Sequence, residues 1–230
     1  MRKIAHRSGP TVYPEQTVSS ALLALRNGAD MIELDTRFSK DGVIIVSHDD
    51  DLERVFGVNV RTQELTADEF KALPHKDAPG FFGHTLQDYI DAGAFPMLIH
   101  VKEGGERLPE LLSLLERNGC LGKVVLGVSR TPDIAFIKKY DESITVLAFM
   151  RSPECIEESA EAGADYIRLW EKWYTDELFE KIKALGKECW IMTGNYDGFE
   201  VGYTSKEKLD HFFGVPADGI LVNDISCLTD

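Results

Sequence analysis

The stretch GADMIELDTRFSKDGVIIVSHDDDLER, residues 28–54, opens with a strand pattern that carries two acidic side chains. Side chains alternate across a strand, so Glu33 and Asp35 share one face. Two carboxylates held together in a poorly solvated place need a cation to neutralise them, which predicts a metal site with hard oxygen ligands. The same carboxylates could instead pair with Arg7 and Arg37 in a structural ion cluster, and the spacing leaves both interpretations open.

Outward from this stretch, short runs of β-branched or aliphatic residues recur along the whole chain. Amphipathic helical patterns such as TDELFEKIKALG (175–186) separate most of them. Strands and helices that alternate eight times are typical of an α/β fold, the TIM (β/α)₈ barrel, with an open doubly wound sheet as the alternative. The eight runs are KIAHR, MIELDTRF, PMLIHVK, KVVLGVS, ITVLAFM, YIRLW, ECWIMTGN and GILVND.

One interval between strands is much longer than the others, from Phe38 to Pro96. It predicts a small insertion after strand 2, at approximately residues 50–84, on the C-terminal face of the barrel. Only ISCLTD follows the eighth strand, so we expect the last helix to be reduced. No linker pattern divides the chain, and residues 1–230 are predicted to form a single domain.

Charge and composition narrow the function classes. The chain has 25 Lys and Arg against 39 Asp and Glu among 230 residues, a net charge of −14, which argues against nucleic acid as a partner. The four cysteines form no CxxC pair, and we interpret them as reduced thiols in a cytoplasmic protein. Without a signal-peptide core or a run of about 20 apolar residues, we expect no stable membrane insertion.

Polar side chains stand where several predicted strands end, and in a TIM barrel this C-terminal rim carries the chemistry. The first strand ends in His6 and Arg7, and His48 stands where the insertion after the second strand opens. In LIHVK, His100 and Lys102 share one face of the third strand. A single histidine is more often a satisfied polar residue, but His6 and His48 together are candidates for a general acid and a general base.

Taken together, several motifs resemble the glycerophosphodiester phosphodiesterase family, and they occur in the family's order over nearly the whole chain. The most specific part is the block of residues 28–54, which combines E-x-D, K-D-G and H-D. The other motifs are HRSG (6–9), YPEQT (13–17), TLQDYI (85–90) and GVPADGILVND (214–224).

The resemblance implies a TIM-barrel hydrolase that uses a divalent cation, Mg²⁺ or Ca²⁺, to cleave a small glycerophosphodiester into glycerol 3-phosphate and an alcohol. It also implies roles for individual residues. By match to the family's motifs, His6 and His48 are the catalytic acid and base, Arg7 and Lys102 contact the phosphate, Glu15 lies near the substrate, and Glu33 and Asp35 bind the metal.

The third strand departs from the family pattern. The family reads E-x-K where this chain has His100-Val101-Lys102, so a carboxylate ligand is replaced by an imidazole. Neutral imidazole suits Mn²⁺, Zn²⁺ or Co²⁺ better than Mg²⁺ or Ca²⁺, and we expect His100 to be the third ligand with a shifted metal preference. Alternatively, His100 only forms a hydrogen bond to a ligand or to the phosphate, which leaves a Mg²⁺ site with two carboxylates. Glu103 could supply the missing carboxylate only if the chain bends after it.

Two other functions keep the same barrel. One is a phospholipase D-like hydrolase of a lipid phosphodiester, for which GFFG (80–83) and the aromatic residues 170, 173 and 174 offer apolar surface. The other is a catalytically impaired barrel that binds a phosphodiester or a metal without turnover.

The segment RLWEKWYTDE (168–177) is open to two interpretations. Its aromatic rings could form a wall that selects a choline-like cation in the alcohol portion. They could equally plug the core ahead of a helix that Thr175 caps.

Overall fold

The computed structural model describes residues 1–195, 198–214 and 217–228, so residues 215 and 216 of GVPADGILVND and 229 and 230 of ISCLTD lie outside it. Twelve strands occur in these ranges. They are β1 (Arg2–Ala5), β2 (Met31–Phe38), β3 (Ile44–Val46), β4 (Pro74–His75), β5 (Ala78–Phe82), β6 (His84–Thr85), β7 (Met97–Val101), β8 (Val124–Val128), β9 (Thr145–Ala148), β10 (Tyr166–Trp170), β11 (Glu188–Met192) and β12 (Gly219–Val222).

Eight of these strands form a closed parallel barrel, which confirms the predicted fold and excludes the open sheet. Around the barrel, the strand order is β1-β12-β11-β10-β9-β8-β7-β2. Pairing of Ile4 with Met31 between β1 and β2 closes the ring. Between β2 and β7 the parallel register sets Asp35 opposite His100.

Helices cover the outside of the barrel, because their apolar stripes pack against the outward side chains of the strands. Thr175 accepts a hydrogen bond from the backbone N–H of Leu178, as the sequence predicted for the helix that follows it. The helices are α1 (Val18–Arg26), α2 (Glu53–Phe56), α3 (Ala67–Lys71), α4 (Leu86–Asp91), α5 (Leu108–Arg117), α6 (Thr131–Tyr140), α7 (Ile156–Glu161), α8 (Asp176–Ala184) and α9 (Lys206–Gly214).

The long interval after β2 is the predicted insertion. β3 turns back antiparallel to β2 and pairs with β6. Between them lie α2, α3 and the β4–β5 hairpin, which pack around a small core of Ile45, Leu52, Phe56 and Phe70. After β12, a 3₁₀ turn spans Ile225–Leu228.

Large apolar side chains fill the lower part of the barrel interior, so the polar site can lie only towards the C-terminal ends of the strands. No helix in the described ranges combines the length and the apolar character needed to cross a bilayer. These interior residues are Ile4, Met31, Leu98, Val125, Leu147, Trp190 and Leu221; Phe149 and Met192 belong to the same cluster but lie at the C-terminal ends of β9 and β11.

Candidate active site

Two neighbouring strands of the barrel bring three ligand-type side chains together. Glu33 and Asp35 on β2 and His100 on β7 each offer one ligand atom, and these atoms lie within 4.8 Å of one another. Both carboxylates are buried, at 1% exposure. The alternation that predicted Glu33 and Asp35 on one face therefore places them at a site that could hold a metal ion.

Asp35 is the most heavily hydrogen-bonded member of the group. Its Oδ1 atom accepts from Lys102 Nζ and from His100 Nδ1, each at 2.9 Å. Its Oδ2 atom accepts from the amide of Gln16 at 2.6 Å. Although burial alone would raise the pKa of Asp35, Lys102 and His100 hold that pKa well below its usual value, so the carboxylate is ionised.

Glu33 has fewer partners than Asp35. Its Oε2 atom accepts one hydrogen bond, from the backbone N–H of Arg7 at 2.8 Å, and Oε1 lies 4.0 Å from His100 Nδ1. Burial, and then the charge of Asp35, raise the pKa of Glu33 to about 8. Among the described residues, no Lys or Arg side chain forms an ion pair with Glu33.

The structure contradicts the alternative that Arg7 and Arg37 neutralise the two carboxylates. The Arg7 side chain pairs with Glu15 at 3.2 Å. Arg37 donates to the carbonyl oxygen of His48 and pairs with Glu103 at 3.4 Å. Glu103 is thus engaged outside the ligand group, as strand alternation indicated.

His6 is fixed by a residue from the opposite end of the chain. Its Nδ1 atom lies 2.6 Å from Asn223 Oδ1, and Asn223 Nδ2 donates to the carbonyl oxygen of Val201. Because the amide is oriented by Val201, the Nδ1 atom of His6 must be the donor, which leaves Nε2 as an acceptor. Burial, and then the charge of Arg7, lower the pKa of His6 to about 3, so the ring is neutral at pH 7.

A chain of ion pairs holds His48 and the rim of the site. His48 Nδ1 lies 2.7 Å from Asp49 Oδ1, and Asp49 also pairs with Arg54. Arg54 then donates to Glu15 at 2.6 Å, and Glu15 pairs with Arg7. The hydrogen bond from His48, together with Arg54, keeps the pKa of Asp49 below its usual value. His48 Nδ1–H is therefore donated to a carboxylate.

An open cleft of about 730 Å³ includes the Arg7, Glu15 and Arg54 part of this rim. Arg7, Glu15 and Arg54 line one part of it, and Asn195, Tyr203 and Asn223 line another. Of the residues that the sequence singled out, Arg7 and Glu15 line the cleft, and the contacts above link His6 to Asn223 and His48, through Asp49 and Arg54, to Glu15 of that lining.

Arg168 on β10 is a residue that sequence reasoning missed. Its guanidinium lies over the Trp170 ring at 4.2 Å and over the Phe149 ring at 5.1 Å. These aromatic faces therefore already hold a cation, which weighs against a choline-binding wall. The signal in the sequence was an arginine on the same face as Tyr166 and Trp170, in an otherwise apolar strand.

Glu171, on the same segment, faces inward as well. One oxygen accepts from the backbone N–H of Gly194 and the other from the hydroxyl of Thr204, each at 2.8 Å. Glu171 therefore fixes the loop that follows β11. This loop includes Val201, whose carbonyl oxygen orients the Asn223 amide.

Comparisons with known proteins agree with this architecture. The family model described as the glycerophosphoryl diester phosphodiesterase family matches residues 6–126. A glycerophosphodiester phosphodiesterase of Caldanaerobacter subterraneus is 33% identical over 116 residues, covering 50% of this chain and 40% of that protein. A lysophospholipase D of Mus musculus is 32% identical over 132 residues, covering 51% of this chain and 39% of that protein. The chain therefore spans about two fifths of the length of these relatives.

Solved structures are similar in fold over the whole chain. The glycerophosphodiester phosphodiesterase of Agrobacterium tumefaciens has a TM-score of 0.82 at 19% identity, with 100% of both chains covered. A phosphodiesterase of Oleispira antarctica, solved with the product sn-glycerol 3-phosphate, has a TM-score of 0.84 at 16% identity, covering 100% of this chain and 97% of that one. At these identities the likeness concerns the fold.

Proposed function

This chain belongs to the glycerophosphoryl diester phosphodiesterase family, and we propose that it hydrolyses a small glycerophosphodiester to glycerol 3-phosphate and an alcohol. The observation that carries the proposal is the group of Glu33, Asp35 and His100, with ligand atoms within 4.8 Å of one another, beside the neutral His6. Such a set could hold a cation against which a phosphoryl group binds, and His6 could move protons at its oxygens.

His6 is the general base in this proposal. Its Nδ1–H is held by Asn223, so the lone pair on Nε2 is available to a water molecule or to a neighbouring hydroxyl of the substrate. The pKa of about 3 keeps the ring unprotonated at neutral pH, as a base requires before the reaction begins.

His48 is the general acid. Asp49 accepts its Nδ1–H at 2.7 Å, so a proton on Nε2 gives an imidazolium whose charge the carboxylate balances. His48 then protonates the leaving alkoxide oxygen through Nε2. The roles of the two histidines are assigned by their hydrogen-bond partners. His6 has the amide of Asn223 and is the base, and His48 has the carboxylate of Asp49 and is the acid.

Arg7 and Lys102 supply positive charge for the phosphoryl oxygens. Lys102 Nζ rests on Asp35, and Arg7 rests on Glu15, so both cations are positioned before substrate arrives. The Nε atom of Arg7 is buried without a hydrogen-bond partner among the described residues, so it has a donor left for a ligand. Preorganised donors of this kind each contribute a factor of about 10² to 10³ in rate.

The side chains also fit a divalent metal ion. The Nδ1 atom of His100 lies 2.9 Å from Asp35 and 4.0 Å from Glu33, and the raised pKa of Glu33 reflects its burial beside the Asp35 carboxylate. As a ligand, His100 would present the Nδ1 lone pair to the ion in place of its hydrogen bond to Asp35. Glu33, Asp35 and His100 would hold the ion, which would act as a Lewis acid on a phosphoryl oxygen. With one imidazole and two carboxylates, we favour Mn²⁺, Zn²⁺ or Co²⁺ over the Mg²⁺ or Ca²⁺ that the family resemblance implies.

A panel assay tests the function. Glycerophosphodiesters with different alcohols are incubated with the protein and each divalent metal, and release of glycerol 3-phosphate is measured. We expect turnover in the wild type, a loss of about 10²-fold or more in His6→Ala and in His48→Ala, and no loss in His84→Ala, a control outside the site.

Unchanged turnover in both site variants would refute the mechanism. Ligand binding without product release would instead indicate a barrel that binds and does not cleave.

A second candidate is a lipid phosphodiester, which a specific surface favours. Beside Glu15 at the mouth, Val12 is 74% exposed, and the Tyr13 ring contacts Phe81 next to the exposed Phe82. One relative is named a lysophospholipase D. Faster turnover of a micellar lysophospholipid than of the matching glycerophosphodiester, reduced in Phe82→Ser, would select this substrate class.

A further inference from the structure

Arg168 is a buried cation inside the barrel. Its side chain is inward-facing on β10, the residue is 4% exposed, and its guanidinium lies over the Trp170 ring at 4.2 Å and the Phe149 ring at 5.1 Å. Burying a charge in this way is costly unless another group compensates it. The stacked rings compensate only part of that cost, because they interact with the face of the guanidinium and not with its N–H groups.

The N–H groups of Arg168 lack acceptors. Among the described residues, neither Nε nor Nη1 has a hydrogen-bond partner. The Phe149 ring, whose centroid lies 5.1 Å from the guanidinium, also lies 3.9 Å from the His100 ring. The guanidinium therefore lies on the side of the site that His100 occupies, with the Phe149 ring in contact with both.

A stack of four side chains holds the guanidinium in place. The Phe149 ring lies nearly parallel to the His100 ring, at 3.9 Å and 13°, and the Arg168 guanidinium lies 5.1 Å from the Phe149 ring centroid. Gly127 makes this possible, because a Cβ atom there would lie 2.2 Å from Phe149 Cε2. The ring fills the space that the glycine leaves, so the position of Arg168 is fixed by packing.

We propose that Arg168 is a further phosphate-binding residue, whose unpaired N–H groups donate to phosphoryl oxygens bound between Glu33, His100 and Lys102. Phosphate is the acceptor that fits, because a guanidinium is preorganised for phosphoryl oxygens and these are what the proposed function brings to this point. The inference rests on that function for the identity of the substrate, but not for the binding of phosphate itself. A phosphomonoester, with more negative charge, should bind more tightly than a diester.

Calorimetry with inorganic phosphate and with sn-glycerol 3-phosphate tests the proposal, in EDTA and then with Mn²⁺. In Arg168→Met we expect both ligands to bind about 10- to 10²-fold more weakly than in the wild type under both conditions. Arg168→Lys, which keeps the charge but loses the planar donors, should be intermediate. Arg130→Met, a variant of an exposed arginine outside the cleft, is the control and should bind as the wild type does.

Wild-type affinity for both ligands in a folded Arg168→Met, or no phosphate binding by the wild type, would overturn the proposal. If Arg168→Met does not fold, arginine side-chain NMR of the wild type decides. Phosphate should shift the Nε–H resonance that Arg168→Lys removes, and an unmoved resonance would refute the contact. A wild type that binds phosphate through Arg168 but cleaves no glycerophosphodiester would refute the proposed function and leave this inference standing.

Discussion

His6 Nδ1 lies 2.6 Å from Asn223 Oδ1, a contact that joins the end of the first barrel strand to the end of the last. Asn223 is itself held by the loop after β11, through its Nδ2 bond to Val201. Which ring nitrogen of His6 carries the hydrogen therefore depends on Asn223, a residue 217 positions away in sequence.

Replacing this amide by a carboxylate should move the pH profile. In Asn223→Asp the new charge favours the imidazolium form and raises the pKa of His6, so the unprotonated base is lost at a higher pH. We expect the acid limb of kcat/KM against pH to shift upward. Asn195→Asp places a carboxylate in the same cleft away from His6 and should not shift it. An unshifted limb in Asn223→Asp would show that His6 is not the base.

The loop that holds Asn223 needs a glycine at position 202. Gly202 has a φ of 90°, and a Cβ atom there would lie 2.1 Å from Asn223 Oδ1. We expect Gly202→Ala to lower the free energy of unfolding by about 1–3 kcal/mol and to lower kcat, because the Asn223 amide must move from His6. Denaturant titration and turnover measure the two effects.

Gly198→Ala is the matched control for that variant, since Gly198 lies in the same loop with a φ of 83° but with nothing within 4 Å of its Cβ position. It carries the backbone strain without the clash. An equal loss of kcat in both variants would contradict a specific effect on Asn223.

Stability should depend on pH through His6. The unfolded chain binds a proton at this residue below about pH 6.5, whereas the folded chain does so only near its pKa of about 3. Between these values the unfolded state binds more protons, so stability falls as the pH falls, by up to about 1.4 kcal/mol per pH unit from this group. Urea titrations of the wild type and of His6→Asn measure the difference. Parallel curves for the two proteins from pH 6.5 to 4 would contradict a buried neutral His6.

The metal preference should depend on His100. In His100→Glu a third carboxylate restores a hard oxygen ligand, so we expect Mg²⁺ and Ca²⁺ to support activity better than in the wild type, and Mn²⁺, Zn²⁺ and Co²⁺ to lose their advantage. Activity and calorimetric affinity are measured over the same metal series. His84→Glu adds the same side chain outside the site and serves as the control. Equal activity with Mg²⁺ in the wild type and His100→Glu would rule out a shifted preference.

Much of the barrel was predictable from sequence because its signals are local. Alternation over MIELDTRF put Glu33 and Asp35 on one face, and the same rule put His100 and Lys102 together on β7. The long interval after β2 indicated the insertion, and Thr175 marked the start of α8. Each inference needs only residues within one element or its neighbour along the chain.

Tertiary structure alone decided what lies across the barrel. The partner of His6 is Asn223, the cation between Phe149 and Trp170 is Arg168, and Asp35 rather than Glu33 receives Lys102. The two-residue alternation along a strand determines which face of the sheet a side chain lies on. It does not determine which of the seven other barrel strands that side chain contacts. That depends on how the closed sheet is staggered, and in this protein the stagger brings residues from both ends of the chain to one buried site.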